Sequence, residues 1–349
     1  MDYDLIVIGG GPAGYVAGIR AAQLDADVLV LDDEGNLGGV CLNWGCIPTK
    51  SLLYHAEQYR YMQEADQYGF EIDGLSVNWE QLIQTSRKAV KRLGKGVESL
   101  FKKNGVDYEN TRGRLVGSNT VETEDGNSYE AEEIILASGA RPRTLAGIEP
   151  DGERILDSAD AMTLDEQPGE IIILGAGAIG MEFAYFFDSF DTEVTVVEME
   201  DRILPGEDPE VSDELETILT RNGINFELET AVESVDAEGD SVTVTTQGGE
   251  QLDATHALVA LGVEPNTEDL WAEELNLRTD DGWIAVKDDC STSLADVYAI
   301  GDVTGPPWLA HAASHQGVKL VEGLFTEAEV EVPSERDIPV CTYCQPQVA

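Results

Sequence analysis

Asp4-Leu5-Ile6-Val7-Ile8-Gly9-Gly10-Gly11-Pro12-Ala13-Gly14 has a counterpart far down the chain, Ile171-Ile172-Ile173-Leu174-Gly175-Ala176-Gly177-Ala178-Ile179-Gly180. Each is a short apolar run, long enough for a buried strand, that ends in a glycine triplet spaced GxGxxG. After the first loop the sequence predicts a helix over Tyr15 to Gln23 and a strand over Val28 to Leu31, closing on Asp32. After the second it predicts a helix over Met181 to Phe190 and a strand over Val194 to Val197, closing on Glu198. In both copies the acid stands 23 positions beyond the first glycine. The chemistry needs this pattern: glycines let the backbone approach a pyrophosphate, helix N–H groups bind it, and the acid accepts ribose hydroxyls. An acid there repels a 2′-phosphate, so the second unit is read as an NAD site rather than an NADP site. Gly9, Gly11, Gly14 and Asp32, then Gly175, Gly177, Gly180 and Glu198, are therefore cofactor-binding candidates, and the fold class is α/β with two Rossmann-like units.

Between the two units lies Gly38-Gly39-Val40-Cys41-Leu42-Asn43-Trp44-Gly45-Cys46-Ile47-Pro48-Thr49-Lys50, followed by the helix-like run Ser51 to Ala56. Two cysteines this close can be bridged if the backbone curls, because a disulfide needs Cα atoms about 4.4–6.8 Å apart. Pro48 suits a first helical turn, which puts Cys46 just before a helix N-terminus, where the macrodipole favours a thiolate. The spacing alone is equally compatible with two buried, reduced cysteines in a loop.

Elsewhere, Trp79 to Lys103 reads as a long amphipathic helix with Leu82, Val90, Leu93, Val97, Leu100 and Phe101 on its apolar side. Its cations (Arg87, Lys88, Lys91, Arg92, Lys95, Lys102 and Lys103) form either a solvated face or a docking surface for acidic groups. Residues 106–136 read as an antiparallel insertion broken at Gly113, Gly117 and Asp125-Gly126. The apolar runs Ile134 to Leu136 and Ala257 to Leu261 end at Gly139 and Gly262 as matching strands. Residues 282–300 have strand character and lead into Gly301-Asp302. His311 and His315 share a helix face but have no third ligand nearby, so no metal site is expected. Cys341 and Cys344 make a CxxC without a second pair, and a structural role is expected for them.

The 349 residues call for two or three domains. With 68 acidic and 21 basic residues the formal charge is −47, yet 42% of residues are hydrophobic, which indicates a folded protein with an acidic, salt-adapted skin rather than a disordered chain. Such a surface excludes nucleic acid and anionic lipid as expected partners. No stretch reaches the roughly 18 apolar residues a membrane span needs, and Met1-Asp2-Tyr3-Asp4 is no basic leader. With only five cysteines, a cytoplasmic location is expected.

Taken together, GGVCLNWGCIPTK, GAGAIGMEFA, AIGDVTGPPWLAHAA and the terminal CTYCQPQVA resemble the flavoprotein disulfide reductases, and within them the dihydrolipoamide dehydrogenases, over essentially the whole chain. The resemblance implies an FAD-binding domain over 1–145 that resumes at 266–335, an NAD-binding domain inserted at 146–265, and at 336–349 the start of an interface domain that forms a homodimer. It implies that Cys41 exchanges with dihydrolipoamide, that Cys46 is the thiolate lying against the flavin, and that Lys50 sits near the flavin and pairs with Glu182. Gly113, Gly139, Asp302, Ala310 and Gly262 join the implied cofactor contacts, with Lys50 counted among them. The implied reaction oxidises the dihydrolipoyl domain of a 2-oxo acid dehydrogenase or glycine cleavage complex. The family's interface histidine and its glutamate partner have no match among His55, His256, His311 and His315. That departure leaves two other readings: an FAD- and NAD-binding fragment limited to dye reduction, or another disulfide reductase or NADH oxidase on the same scaffold.

Overall fold

The computed structural model describes residues 1–349, the side chain of Glu335 excepted. The chain divides into two compact units, each assembled from three separate segments. The first comprises Met1–Asn43, Val90–Arg141 and Val263–Pro339, and the second Trp44–Ala89, Pro142–Gly262 and Val340–Ala349.

In the first unit the strand Tyr3–Ile8 lies between Val28–Leu31 and Ser128–Leu136, parallel to both. Val297–Ala299 then pairs in parallel with the far end of Ser128–Leu136. These runs are apolar throughout because a parallel sheet is covered on both faces. Ile6, Ile8, Leu29, Leu31, Ile134 and Leu136 are buried in one core. The helix Pro12–Ala22 packs against the helix Ala310–Phe325 so closely that a Cβ on Gly317 would stand 2.8 Å from the Ala13 carbonyl oxygen. An Arg20–Glu322 ion pair at 2.8 Å ties the same two helices.

The expected antiparallel insertion holds only from residue 113 onward. Gly113–Leu115, Thr120–Thr123 and Ser128–Leu136 pair antiparallel in sequence. Asp107–Glu109 instead joins the parallel sheet beside Val28–Leu31, because the left-handed Gly105 reverses the chain after the preceding helix. Residues 282–300 are also less regular than expected. The Asp289 carboxylate accepts from the Ser291 N–H (3.0 Å) and hydroxyl (2.6 Å), and this local turn competes with strand pairing. Only Trp283–Ile284 and Val297–Ala299 remain extended there.

In the second unit five parallel strands run in the order Asn225–Glu227, Glu193–Val197, Glu170–Leu174, His256–Val259, Ile155–Leu156. An antiparallel meander of Val232–Glu238, Ser241–Thr246 and Gln251–Ala254 packs beside them. The helix Ala178–Asp188 is apolar apart from Glu182 and Asp188, with Phe183, Tyr185, Phe186 and Phe187 buried. It packs against the helix Cys46–Gln63 through Leu52, Leu53 and Ala56, while Arg60 pairs with Asp188 and donates to the Ser189 hydroxyl at 2.8 Å.

The helix Trp79–Asn104 begins where the sequence places it. Val90, Val97 and Phe101 are buried, but Leu93 and Leu100 are exposed. Both flank the buried line, so their place in the heptad gives them solvent instead of core.

Candidate functional site

The two glycine loops have the same geometry. A Cβ on Gly14 would fall 1.8 Å from the Gly9 carbonyl oxygen, and one on Gly180 would fall 2.0 Å from that of Gly175. Only glycine allows the helix to meet its strand this closely. The middle glycines serve differently. Gly11 and Gly177 cap their helices without a side-chain hydrogen bond, and a Cβ on Gly177 would meet nothing within 4 Å. Both helices thus start without a side-chain cap, leaving N-terminal backbone donors for an anion; the second start is open, whereas the first lies against Gly39.

The acids at the ends of the second strands brace these loops. Asp32 accepts from the Gly10 N–H at 2.6 Å and from the Glu34 N–H at 3.2 Å. Glu198 accepts from Ala176 at 2.7 Å and Glu200 at 2.9 Å. Both are only 8% exposed. Burial pushes the Asp32 pKa up, while the two backbone donors oppose the shift.

Cys41 lies in the short helix Gly39–Trp44, and Cys46 is the first residue of the helix Cys46–Gln63, with Gly45 as its cap. Cys46 thus sits inside the first turn, one step further than the sequence implies. Cys41 and Cys46 are disulfide-bonded, while Cys290, Cys341 and Cys344 are free. The segment leading to Cys41 lies on the first glycine loop: a Cβ on Gly39 would come 2.6 Å from the Gly11 Cα, and the Gly38 N–H donates to the Gly10 carbonyl at 2.9 Å.

One helical turn beyond Cys46, the Lys50 ammonium reaches both oxygens of Glu182 at 2.8 Å. Glu182 is 5% exposed, so its charge requires that partner. The Tyr343 N–H adds a third bond to Glu182 at 3.0 Å, and Lys50 Nζ stands 4.9 Å from the centre of the Tyr343 ring. Sequence reasoning missed Tyr343; no local pattern marks a contact made across 161 residues.

Asp302 lies in the turn Gly301–Thr304, where a Cβ on Gly301 would touch Ala13 at 3.0 Å, two residues past Gly11. Burial alone pushes its carboxyl pKa up to about 6, and no donor among the described residues reaches it. Gln316, another residue the sequence did not suggest, holds this turn by accepting from the Gly301 N–H at 2.8 Å. Gly113 packs on Leu31. Gly139 and Gly262 are left-handed and open to space, and Ala310 starts its helix. His311 Nε2 meets the Pro339 carbonyl at 2.9 Å. Among the described residues no three His, Cys, Asp or Glu side chains gather as a metal site. No described helix is long and apolar enough to cross a membrane.

The sequence profile described as pyridine nucleotide-disulphide oxidoreductase matches residues 3–317. The chain belongs to the pyridine nucleotide-disulphide oxidoreductase family. Among members of that family, it is 41% identical to the dihydrolipoyl dehydrogenase of Zymomonas mobilis, over 99% of this chain and 76% of that protein. It is 40% identical to the dihydrolipoyl dehydrogenase of Bacillus subtilis, over 100% of this chain and 77% of that protein. The solved structure of LpdA from Mycobacterium tuberculosis superposes with a TM-score of 0.92 at 28% identity, covering 98% of this chain and 77% of LpdA. As an oxidoreductase of this family, the chain places a disulfide at a helix start in the same molecule as two dinucleotide-type loops.

Proposed function

We propose that the protein is a dihydrolipoyl dehydrogenase that oxidises protein-bound dihydrolipoamide through the Cys41–Cys46 disulfide, with FAD and NAD as cofactors. The observation that carries this reading is the disulfide itself, set at a helix N-terminus one turn from a paired lysine in a chain that also holds two glycine loops.

The residues suit both cofactors. The uncapped start of the Pro12–Ala22 helix and the braced Asp32 fit the pyrophosphate and adenosine ribose of FAD. The donorless, half-buried Asp302 fits a polyol hydroxyl, and Gly113, Gly139, Ala310 and Lys50 complete the FAD set. Gly175, Gly177, Gly180, Glu198 and Gly262 would hold NAD. FAD binding is accordingly assigned to 1–145 and 266–335, NAD binding to 146–265, and the start of an interface region to 336–349.

A dihydrolipoyl thiolate attacks the Cys41 sulfur and breaks the bond to Cys46, which leaves as a thiolate. The second lipoyl thiolate then displaces Cys41 and closes the lipoyl disulfide; two electrons have entered the cysteine pair and two protons have left the substrate thiols. Cys46 can carry the charge because the helix dipole and Lys50 both favour an anion there. Glu182 keeps the Lys50 ammonium in place. FAD, when bound, supplies the two-electron path from the cysteine pair to NAD.

We further assign the chain to a cytoplasmic, salt-adapted homodimer serving a 2-oxo acid dehydrogenase or glycine cleavage complex, following the family resemblance for assembly and partner and the charge for salt adaptation. The reading is tested by assaying NAD-linked oxidation of dihydrolipoamide in molar KCl. Wild-type turnover that disappears in Cys41→Ser supports it. Dye reduction by NADH without any lipoamide turnover overturns it.

A further inference from the structure

The Lys50–Glu182 pair does not stand alone. Tyr343 reaches it from the short segment Val340–Ala349 of the same unit and touches both partners in different ways. Its backbone N–H donates to Glu182 Oε1 at 3.0 Å, and its ring faces Lys50 Nζ at 4.9 Å. The phenol's pKa is raised, first by its neighbour Cys341 and then by burial. A second anchor, Gln345 Nε2 to Glu57 Oε1 at 3.2 Å, fixes the segment to the helix that carries Cys46 and Lys50. Cys344, fully buried in the core beside that helix, anchors it a third time.

We propose that Tyr343 is a positioning residue for the redox cysteines: its ring holds the Lys50 ammonium over the first turn of the Cys46–Gln63 helix and so keeps Cys46 ionised when the disulfide opens. The inference rests on the reading of Cys41–Cys46 as the redox pair.

The physical case has three parts. Lys50 follows Cys46 by four residues, so the two side chains share a helix face, and the lysine stem leans toward the N-terminal turn. Lys50 keeps 38% of its side chain exposed even with Tyr343 beside it, so the Glu182 pair leaves a solvent-facing flank that the ring covers only in part. An aromatic face on that flank holds a cation by roughly 0.5–1 kcal/mol without neutralising it, which a second carboxylate would do. The Glu182 contact comes from the backbone and survives any side chain at 343. The ring contact does not, and this separates the two functions.

The experiment uses FAD-loaded protein in molar KCl with Cys41→Ser, in which Cys46 is a lone thiol. The pH midpoint of Cys46 alkylation is read by mass spectrometry for the parent, Tyr343→Phe and Tyr343→Leu. Tyr343→Phe keeps the ring and should titrate with the parent. Tyr343→Leu should lower the alkylation rate below the midpoint by about two- to fivefold, as expected for losing a contact of that size. In a Lys50→Met background the Leu change should have no further effect. Circular dichroism on each variant checks folding, and the Phe variant serves as the folded reference. Equal midpoints for Leu and Phe overturn the proposal, as does a Leu shift that persists without Lys50. If the protein with both cysteines cannot be reduced by dihydrolipoamide, the functional reading fails instead.

Discussion

Two half-buried carboxylates give the protein a pH dependence of its own. Asp302 has no donor, and burial raises its pKa to about 6, above its unfolded value. Its neutral form is thus favoured by the fold, and the stability it contributes is present at low pH and lost as pH rises through about 6. Under the proposed assignment of Asp302 to FAD, hydroxyl donors from the cofactor would reverse that preference by stabilising the ionised form. FAD affinity should therefore fall by up to tenfold per pH unit below 6, and Asp302→Asn should flatten the profile; fluorescence titration of FAD at pH 5 and 7 reads it. Glu133 behaves similarly. Its pKa is raised to about 6 by burial, with the Asp296 charge adding to the shift; Tyr298 bonds the carboxylate, while Oε2 has no partner. Its contribution is full below its unfolded pKa and lost through pH 6, so Glu133→Gln should raise the melting temperature at pH 8 and leave it unchanged near pH 4. After allowance for screening the gain is about 1 kcal/mol. An equal gain at both pH values removes Glu133 from this account.

At the scale of elements, the two glycine loops were legible because backbone geometry dictates residue type there. Where a Cβ would land 2.0 Å from a carbonyl oxygen, only glycine survives. Gly180→Ala should accordingly destabilise the protein by about 2 kcal/mol or more and abolish NAD binding while FAD stays bound, as read by calorimetry and the visible spectrum. If it binds NAD as tightly as the parent, the close-approach argument fails. Val28–Leu31 was readable to the residue because a buried parallel strand must be apolar on both faces. Leu93 and Leu100 were misread because hydrophobicity states only that a residue could be buried, and the neighbouring layer decides whether it is. Asp107–Glu109 was misread because strand partners depend on where Gly105 sends the chain. In the site, spacing left the cysteine bridge open, and the family resemblance supplied both the bridge and the lysine paired with Glu182. Tyr343 and Gln316 were not legible, since both act through contacts formed only after the units fold.

At the scale of the molecule, charge dominates. A formal charge of −47 repels itself, and molar salt shortens the screening length to about 3 Å. The melting temperature should climb steeply between 0.1 and 2 M KCl, and scanning calorimetry showing no change would refute the charge account. The assembly of each unit from three chain segments has a consequence for synthesis. Val297–Ala299 completes the first sheet, so that sheet cannot close until the ribosome has released nearly three hundred residues. Until then Ile134, Ile135 and Leu136 wait with one edge bare. That edge stays bare while residues 137–296 are being made, and over that interval the nascent chain offers chaperones an unpaired strand.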